Sequence, residues 1–142
     1  MRSYTGLYTL IACPIANHLL AKGWYGIFKM RWMFAHGLTE AEIDTAARPW
    51  LPPLAGAVCA AVAALLFLWL FRRMGVRGWL DGLRTGAAIG LLTLMGISVM
   101  ILFSRHSFEI ALIDGGYNFL TISLYGLITG ALRKIRNGGA AA

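Results

Sequence analysis

Residues 52–73 read PPLAGAVCAAVAALLFLWLFRR, an apolar run set between a proline pair and an arginine pair. No charged residue occurs from Leu54 to Phe71. At about 1.5 Å per residue such a run, wound as an α-helix, comes close to the roughly 30 Å of a bilayer's hydrocarbon core. Proline suits the first helical turn, and Arg72, Arg73 and Gly75 stop the helix at the far end. The stretch predicts a membrane span at about 52–71.

Outward from it, three further segments approach the same length. The first span is expected at about 4–24, with Pro14 inside it and Asn17 and His18 near its end. The third is expected at about 79–103 and carries Gly82, Gly86 and Gly90 at intervals of four, which sets them on one helix face able to approach a neighbour closely. The fourth is expected at about 108–132 and passes Glu109, Asp114, Tyr117 and Asn118 before Arg133 and Lys134. Short connections between the last three spans predict an all-α, integral membrane, antiparallel four-helix bundle, with 1–136 as a single membrane domain and 137–142 as a flexible tail.

Between spans 1 and 2, residues 25–48 are too polar to span and too apolar to be disordered. They are expected to lie along the interface. Trp24, Tyr25 and Trp32, with Phe28 and Phe34, are read as interfacial anchors, because amphipathic rings favour the headgroup level. Thr39-Glu40-Ala41-Glu42 has the spacing of a capping box and predicts a short helix to about Ala47, ended by Pro49.

Composition agrees with this reading. The 142 residues are 58% hydrophobic and 13% charged, against about 25% charged in soluble domains. The net charge of +7 comes from short clusters flanking apolar runs, which points to anionic headgroups and away from nucleic acid. Cys13 and Cys59 sit in apolar stretches without metal-ligand spacing and are read as small buried hydrophobes, not a disulfide. Arg2 is a thin charged region with no small-x-small site after the first apolar run, so the first helix is expected to be retained.

The Trp24-Tyr25 pair, Phe28, Trp32-Met33, Gly37-Leu38-Thr39-Glu40 and Ile43 resemble the signature of a bacterial membrane family catalogued as domain of unknown function 1761. The resemblance resumes at Phe108-Glu109 and at Asp114-Gly115-Gly116-Tyr117, where the family has an Asn-x-Gly-Tyr-like run. It implies a four-helix membrane protein and supplies no activity.

Ionisable groups within a bilayer are costly unless paired or hydrated, so each is a candidate site. Asn17, His18, His106, Glu109, Asp114 and Asn118 are therefore the candidate ligand or ion residues. In an antiparallel bundle His18 is expected to approach His106 or Glu109, and Asp114 to find a polar partner in Asn118 or Asn17. The competing reading makes His106 and Glu109 helix-start residues at the water interface and Asp114 interhelical glue. Met95, Met100 and Trp69, like the glycine face, read first as packing within the bundle and equally as a docking face for another membrane protein.

No nucleophile elbow, phosphate loop or metalloprotease helix occurs, so no catalytic residue, metal or cofactor is assigned. The expected function is that of a small non-enzymatic inner-membrane protein, an accessory or scaffold subunit of a larger membrane assembly. The alternative is a small-molecule, lipid or ion binder or carrier, alone or as a homodimer; a membrane enzyme ranks third. Expected partners are membrane lipids and other membrane protein subunits.

With four spans, Arg2, Arg72, Arg73, Arg77, Arg84, Arg133, Lys134 and Arg136 share one side, and Lys22, Lys29, Arg31, Arg48 and Arg105 the other. The more basic side stays in the cytoplasm, which places both termini there. A cysteine introduced at Glu42 should then react with an impermeant thiol reagent from the non-cytoplasmic side. Preferential reaction from the cytoplasm would reverse the orientation.

Overall fold

The computed structural model describes residues 4–44, 48–76 and 78–138. They form α1 Tyr4–His36, α2 Glu40–Asp44, α3 Leu51–Met74, α4 Trp79–Phe103 and α5 Phe108–Gly138, and no strand occurs among them. The fold is all-helical. The expected continuation of α2 to Ala47, the flanking Arg2 and Arg77, and tail residues 139–142 lie outside the described residues.

Among the described residues, α3 and α4 are the helices long and apolar enough to cross a membrane, with mean hydropathies of 2.5 and 2.2 over their most apolar stretches. The other two long helices, α1 and α5, run for 33 and 31 residues. At about 1.5 Å per residue each exceeds 45 Å, well beyond a hydrocarbon core of about 30 Å.

Helix ends explain these lengths. The expectation that the first helix closes near Trp24 is corrected: α1 continues unbroken to His36. No proline interrupts residues 25–36, so nothing stops the helix before Gly37. There the backbone turns left-handed at φ 66°, the Gly37 N–H donates to the Phe34 carbonyl and the Leu38 N–H to the Met33 carbonyl. This is a Schellman closure, in which glycine avoids the steric penalty of a Cβ. Two residues later the Thr39 N–H and hydroxyl both donate to Glu42 Oε2 at 2.8 Å, while the Glu42 N–H donates back to the Thr39 hydroxyl at 3.4 Å. The Gly-Leu-Thr-acid run is thus a stop followed at once by a start. The bonds from the Thr39 backbone and hydroxyl hold the Glu42 carboxyl below its ordinary range, and the Lys29 ammonium, 2.8 Å from Glu40, does the same there.

A left-handed residue also ends α3 at Gly75, where the Gly75 and Val76 N–H groups both donate to the Phe71 carbonyl, and α4 at Arg105, where a non-glycine residue takes φ 60° and the His106 N–H reaches the Ile101 carbonyl. At the other terminus α5 extends past its expected end near residue 132 to Gly138, so 137 and 138 of the expected tail are helical.

Packing is organised around α5, which lies against α4, α1 and α3; α1 also packs on α3. Residue pairs run in opposite directions along α1 and α5, since Cys13 clusters with Tyr125 while Trp24 reaches Ile113. They do so along α4 and α5 as well. Gly82 and Gly86 are buried against Gly126 and Gly130, Gly90 against Phe119, and Gly115 meets Leu94 and Ser98. Backbones in such close contact gain dispersion and shed no side-chain entropy.

At one end, Cys13, Ala60, Ala64, Phe67, Phe71 and Tyr125 form a cluster joining α1, α3 and α5. At the other, Ile101, Ile110 and Ala111 pack with Ala35 and Ile97. Two packing expectations are corrected. Cys59 is exposed, one residue before the inward Ala60, although it and Cys13 are both free thiols. Met95, Met100 and Trp69 point outward and are more than half exposed.

A methyl group on Gly86 would sit 2.8 Å from the Ile122 carbonyl oxygen and 3.0 Å from Gly126 Cα, backbone atoms that no rotamer change can clear. Gly86→Ala should therefore cost about 1–3 kcal/mol, and Gly86→Leu more. Gly96 has nothing within 4 Å, so Gly96→Ala should be neutral or stabilising through helix propensity alone. Unfolding in detergent checks the contrast, and equal stabilities for the two alanine variants would disprove the close α4–α5 contact.

Candidate functional site

The continuation of α1 beyond Trp24 places a series of aromatic side chains along the N-terminal half of α5. Tyr25 and Trp32 are seven residues apart, two turns on one helix face. Both converge on one atom: the Tyr25 hydroxyl donates to Asp114 Oδ1 at 2.9 Å and the Trp32 indole N–H donates to the same oxygen at 3.0 Å. The Trp24 indole donates to the Ile113 carbonyl at 3.0 Å, and its ring covers Gly116, where a Cβ would lie 3.2 Å away. The three residues expected to anchor α1 in the headgroups thus turn their polar atoms onto α5.

Asp114 accordingly has polar partners within the fold, though not those anticipated. Asn118 donates to the Asp114 backbone carbonyl at 2.8 Å, not to its carboxylate, because a residue one turn along the same helix faces the carbonyl first. Asn17 instead accepts from the Tyr117 hydroxyl at 2.7 Å. The Tyr117 ring lies 5.2 Å from that of Tyr25, so the two hydrogen-bonded pairs share a continuous aromatic wall.

This wall bounds a cavity of about 500 Å³ between α1, α4 and α5. Tyr25, Trp32, His36, Asp114, Tyr117 and Asn118 line it, and Ser104 and His106 of the exposed α4–α5 turn form its rim. His36 Nδ1 lies 2.9 Å from the Trp32 carbonyl and its ring is tilted against Trp32 at 4.2 Å; the His106 ring is 5.9 Å from His36.

The expected approach of His18 to His106 or Glu109 is corrected. His18 is exposed and lines a second cavity of about 550 Å³ with Asn17, Lys22, Pro52, Pro53 and Tyr117, nearer the start of α3. The neighbour that His106 has is His36, brought there by the long α1. Glu109 sits on the surface 3.9 Å from Arg31, both well exposed, and such a pair contributes little. Among the described residues no group of three His, Cys, Asp or Glu side chains is placed to hold a metal ion. What sequence reasoning overlooked was Tyr25 and Trp32 as donors to Asp114 and His36 as a cavity residue. The seven-residue interval between the first two was the available signal, and it carries weight only if the helix does not stop at Trp24.

The chain belongs to a family described as proteins of unknown function, DUF1761, whose sequence profile matches residues 8–130. No curated protein and no solved structure matches it.

Asp114→Leu would leave the Tyr25 hydroxyl and the Trp32 indole N–H without their acceptor, at about 1–3 kcal/mol for each donor that water does not reach. Asp114→Asn keeps an acceptor oxygen at the same place and should stay within about 1 kcal/mol of the parent. The stability difference between the two variants in detergent tests the arrangement. Equal losses would mean that the two donors do not depend on that oxygen.

Proposed function

We propose that this chain is a four-pass inner-membrane protein, with both termini cytoplasmic, that binds a small polar molecule in the cavity around Asp114. The observation that carries the binding reading is the Asp114 carboxylate, held at Oδ1 by Tyr25 and Trp32 on the wall of that cavity. Two aromatic donors fix the orientation of the group, and a few fixed polar groups in a mostly apolar cleft are the usual composition of a small-molecule site.

Four passes are supported by the outer faces of the long helices. Leu7, Ile11, Ile15 and Leu19 recur every four residues on α1 and are each more than half exposed, as are Leu92, Met95, Val99 and Phe103 on α4. Lipid tails cover such stripes at no cost, whereas water would not. The lower hydropathy of α5 follows from its position at the hub: Asp114, Asn118, Thr121, Ser123 and Thr129 lie against other helices or the cavity, not toward lipid. Residues 25–36 then project from the first span toward the non-cytoplasmic interface, and the cavity opens near that surface.

Between the two functions anticipated from sequence, the cavity favours binding over an accessory or scaffold role, because the outward apolar faces are accounted for by lipid. Native mass spectrometry of protein extracted in mild detergent separates them. The expected result is a monomer or homodimer carrying a small non-covalent adduct that is reduced in Asp114→Leu. Stoichiometric recovery of a second polypeptide with no adduct would restore the accessory-subunit reading.

A further inference from the structure

We infer that the ligand of this cavity is an organic cation, an amine or quaternary ammonium group carried on a small molecule; the inference rests on the binding reading above. The lining combines one carboxylate with five rings, those of Tyr25, Trp32, His36, His106 and Tyr117, and with apolar side chains of α4 and α5. No lysine or arginine lines the cavity, and Asp114 belongs to neither of the ion pairs found among the described residues, Lys29–Glu40 and Arg31–Glu109. Among the described residues no lysine or arginine is paired with this carboxylate. Its Oδ1 receives both donors, from Tyr25 and Trp32, while no described residue donates to Oδ2.

Each other ligand class fits less well. An anion would face Asp114 with no lysine or arginine in the lining to oppose it. A metal ion lacks a third clustered ligand among the described residues. A bare monovalent ion would leave most of the approximately 500 Å³ unfilled. A purely apolar molecule would strip water from Asp114 and Asn118 without replacing it. An organic cation satisfies all the groups at once: its charge meets Oδ2, its alkyl groups lie on the ring faces, which attract cations through their quadrupoles, and Asn118 remains for a polar substituent.

The arrangement of the rings agrees. Tyr25 is edge-on to Trp32 at 80° and tilted 51° to Tyr117, so the three do not stack into one flat sheet but border an open cleft at different angles. Tyr25 and Trp32 thereby act twice, presenting ring surface and orienting the carboxylate.

Calorimetric titration of the full chain in detergent with three probes of matched shape tests this: choline, its neutral carbon isostere 3,3-dimethylbutan-1-ol, and the anion 3,3-dimethylbutanoate. Choline should bind at least tenfold more tightly than the alcohol, and the anion should not bind. Asp114→Asn, which keeps the acceptor oxygen but removes the charge, should abolish the preference for choline over the alcohol. Should that variant fail to fold, Trp32→Phe and Trp32→Leu serve instead, with choline affinity falling in the order parent, Phe, Leu. Equal binding of choline and the alcohol would overturn the cation assignment. So would the absence of choline binding in protein whose native mass retains a small adduct, and in that case the binding reading stands. No probe bound and no adduct retained would remove both.

Discussion

The contact between α4 and α5 across Gly82, Gly86, Gly126 and Gly130 is the constraint on which the other contacts depend. Glycines on both helices bring the backbones together over two turns, and such contact has little rotational tolerance: turning α5 by one residue would drive a side chain into α4. With that face committed, the remaining surface of α5 is assigned as well. Tyr125 turns to the α1–α3 cluster, and Asp114 and Tyr117 turn to the aromatic side chains of α1. A helix in contact with three others has little outward surface left. Asp114, Asn118, Thr121, Ser123 and Thr129 of this helix accordingly face protein or the cavity.

The second determining feature is the reach of α1. Because it does not stop until the glycine closure at Gly37, it carries Trp32 and His36 alongside the start of α5, beyond the level of Pro52 and Pro53 where α3 begins. α3 does not line the cavity, which is formed by α1, α4 and α5 alone. The motif Gly37-Leu38-Thr39-Glu40 acts on the site at a distance: its helix stop fixes where the last aromatic turn of α1 lies, and its helix start opens α2. No side chain of that motif enters the cavity around Asp114. Its effect on the site therefore involves no ligand contact.

Asp114 shows how local rules and tertiary context divide the work. A carboxylate on an apolar helix demands a partner, and that demand follows from chain composition alone. Asn118, one turn away, was the nearest candidate by sequence, but its amide is taken by a backbone carbonyl. The donors come from residues 89 and 82 positions earlier in the chain. Hydrogen-bond chemistry says that a partner must exist, whereas helix rotation selects which one.

The sequence by itself determined the helical class, the apolar character of α3 and α4, the glycine face of α4 and the capping box before α2. Each of these is a property of a short window, set by side-chain hydropathy, backbone freedom or a three-residue spacing. Only the tertiary structure decided that α1 passes Trp24 without a break, that Gly126 and Gly130 complete the glycine contact, and that His18 is separated from His106 while His36 lies beside it. Those outcomes depend on the rotation and vertical offset of one long helix against another. Both are fixed by the sum of many small contacts along the pair, which no single window of sequence contains.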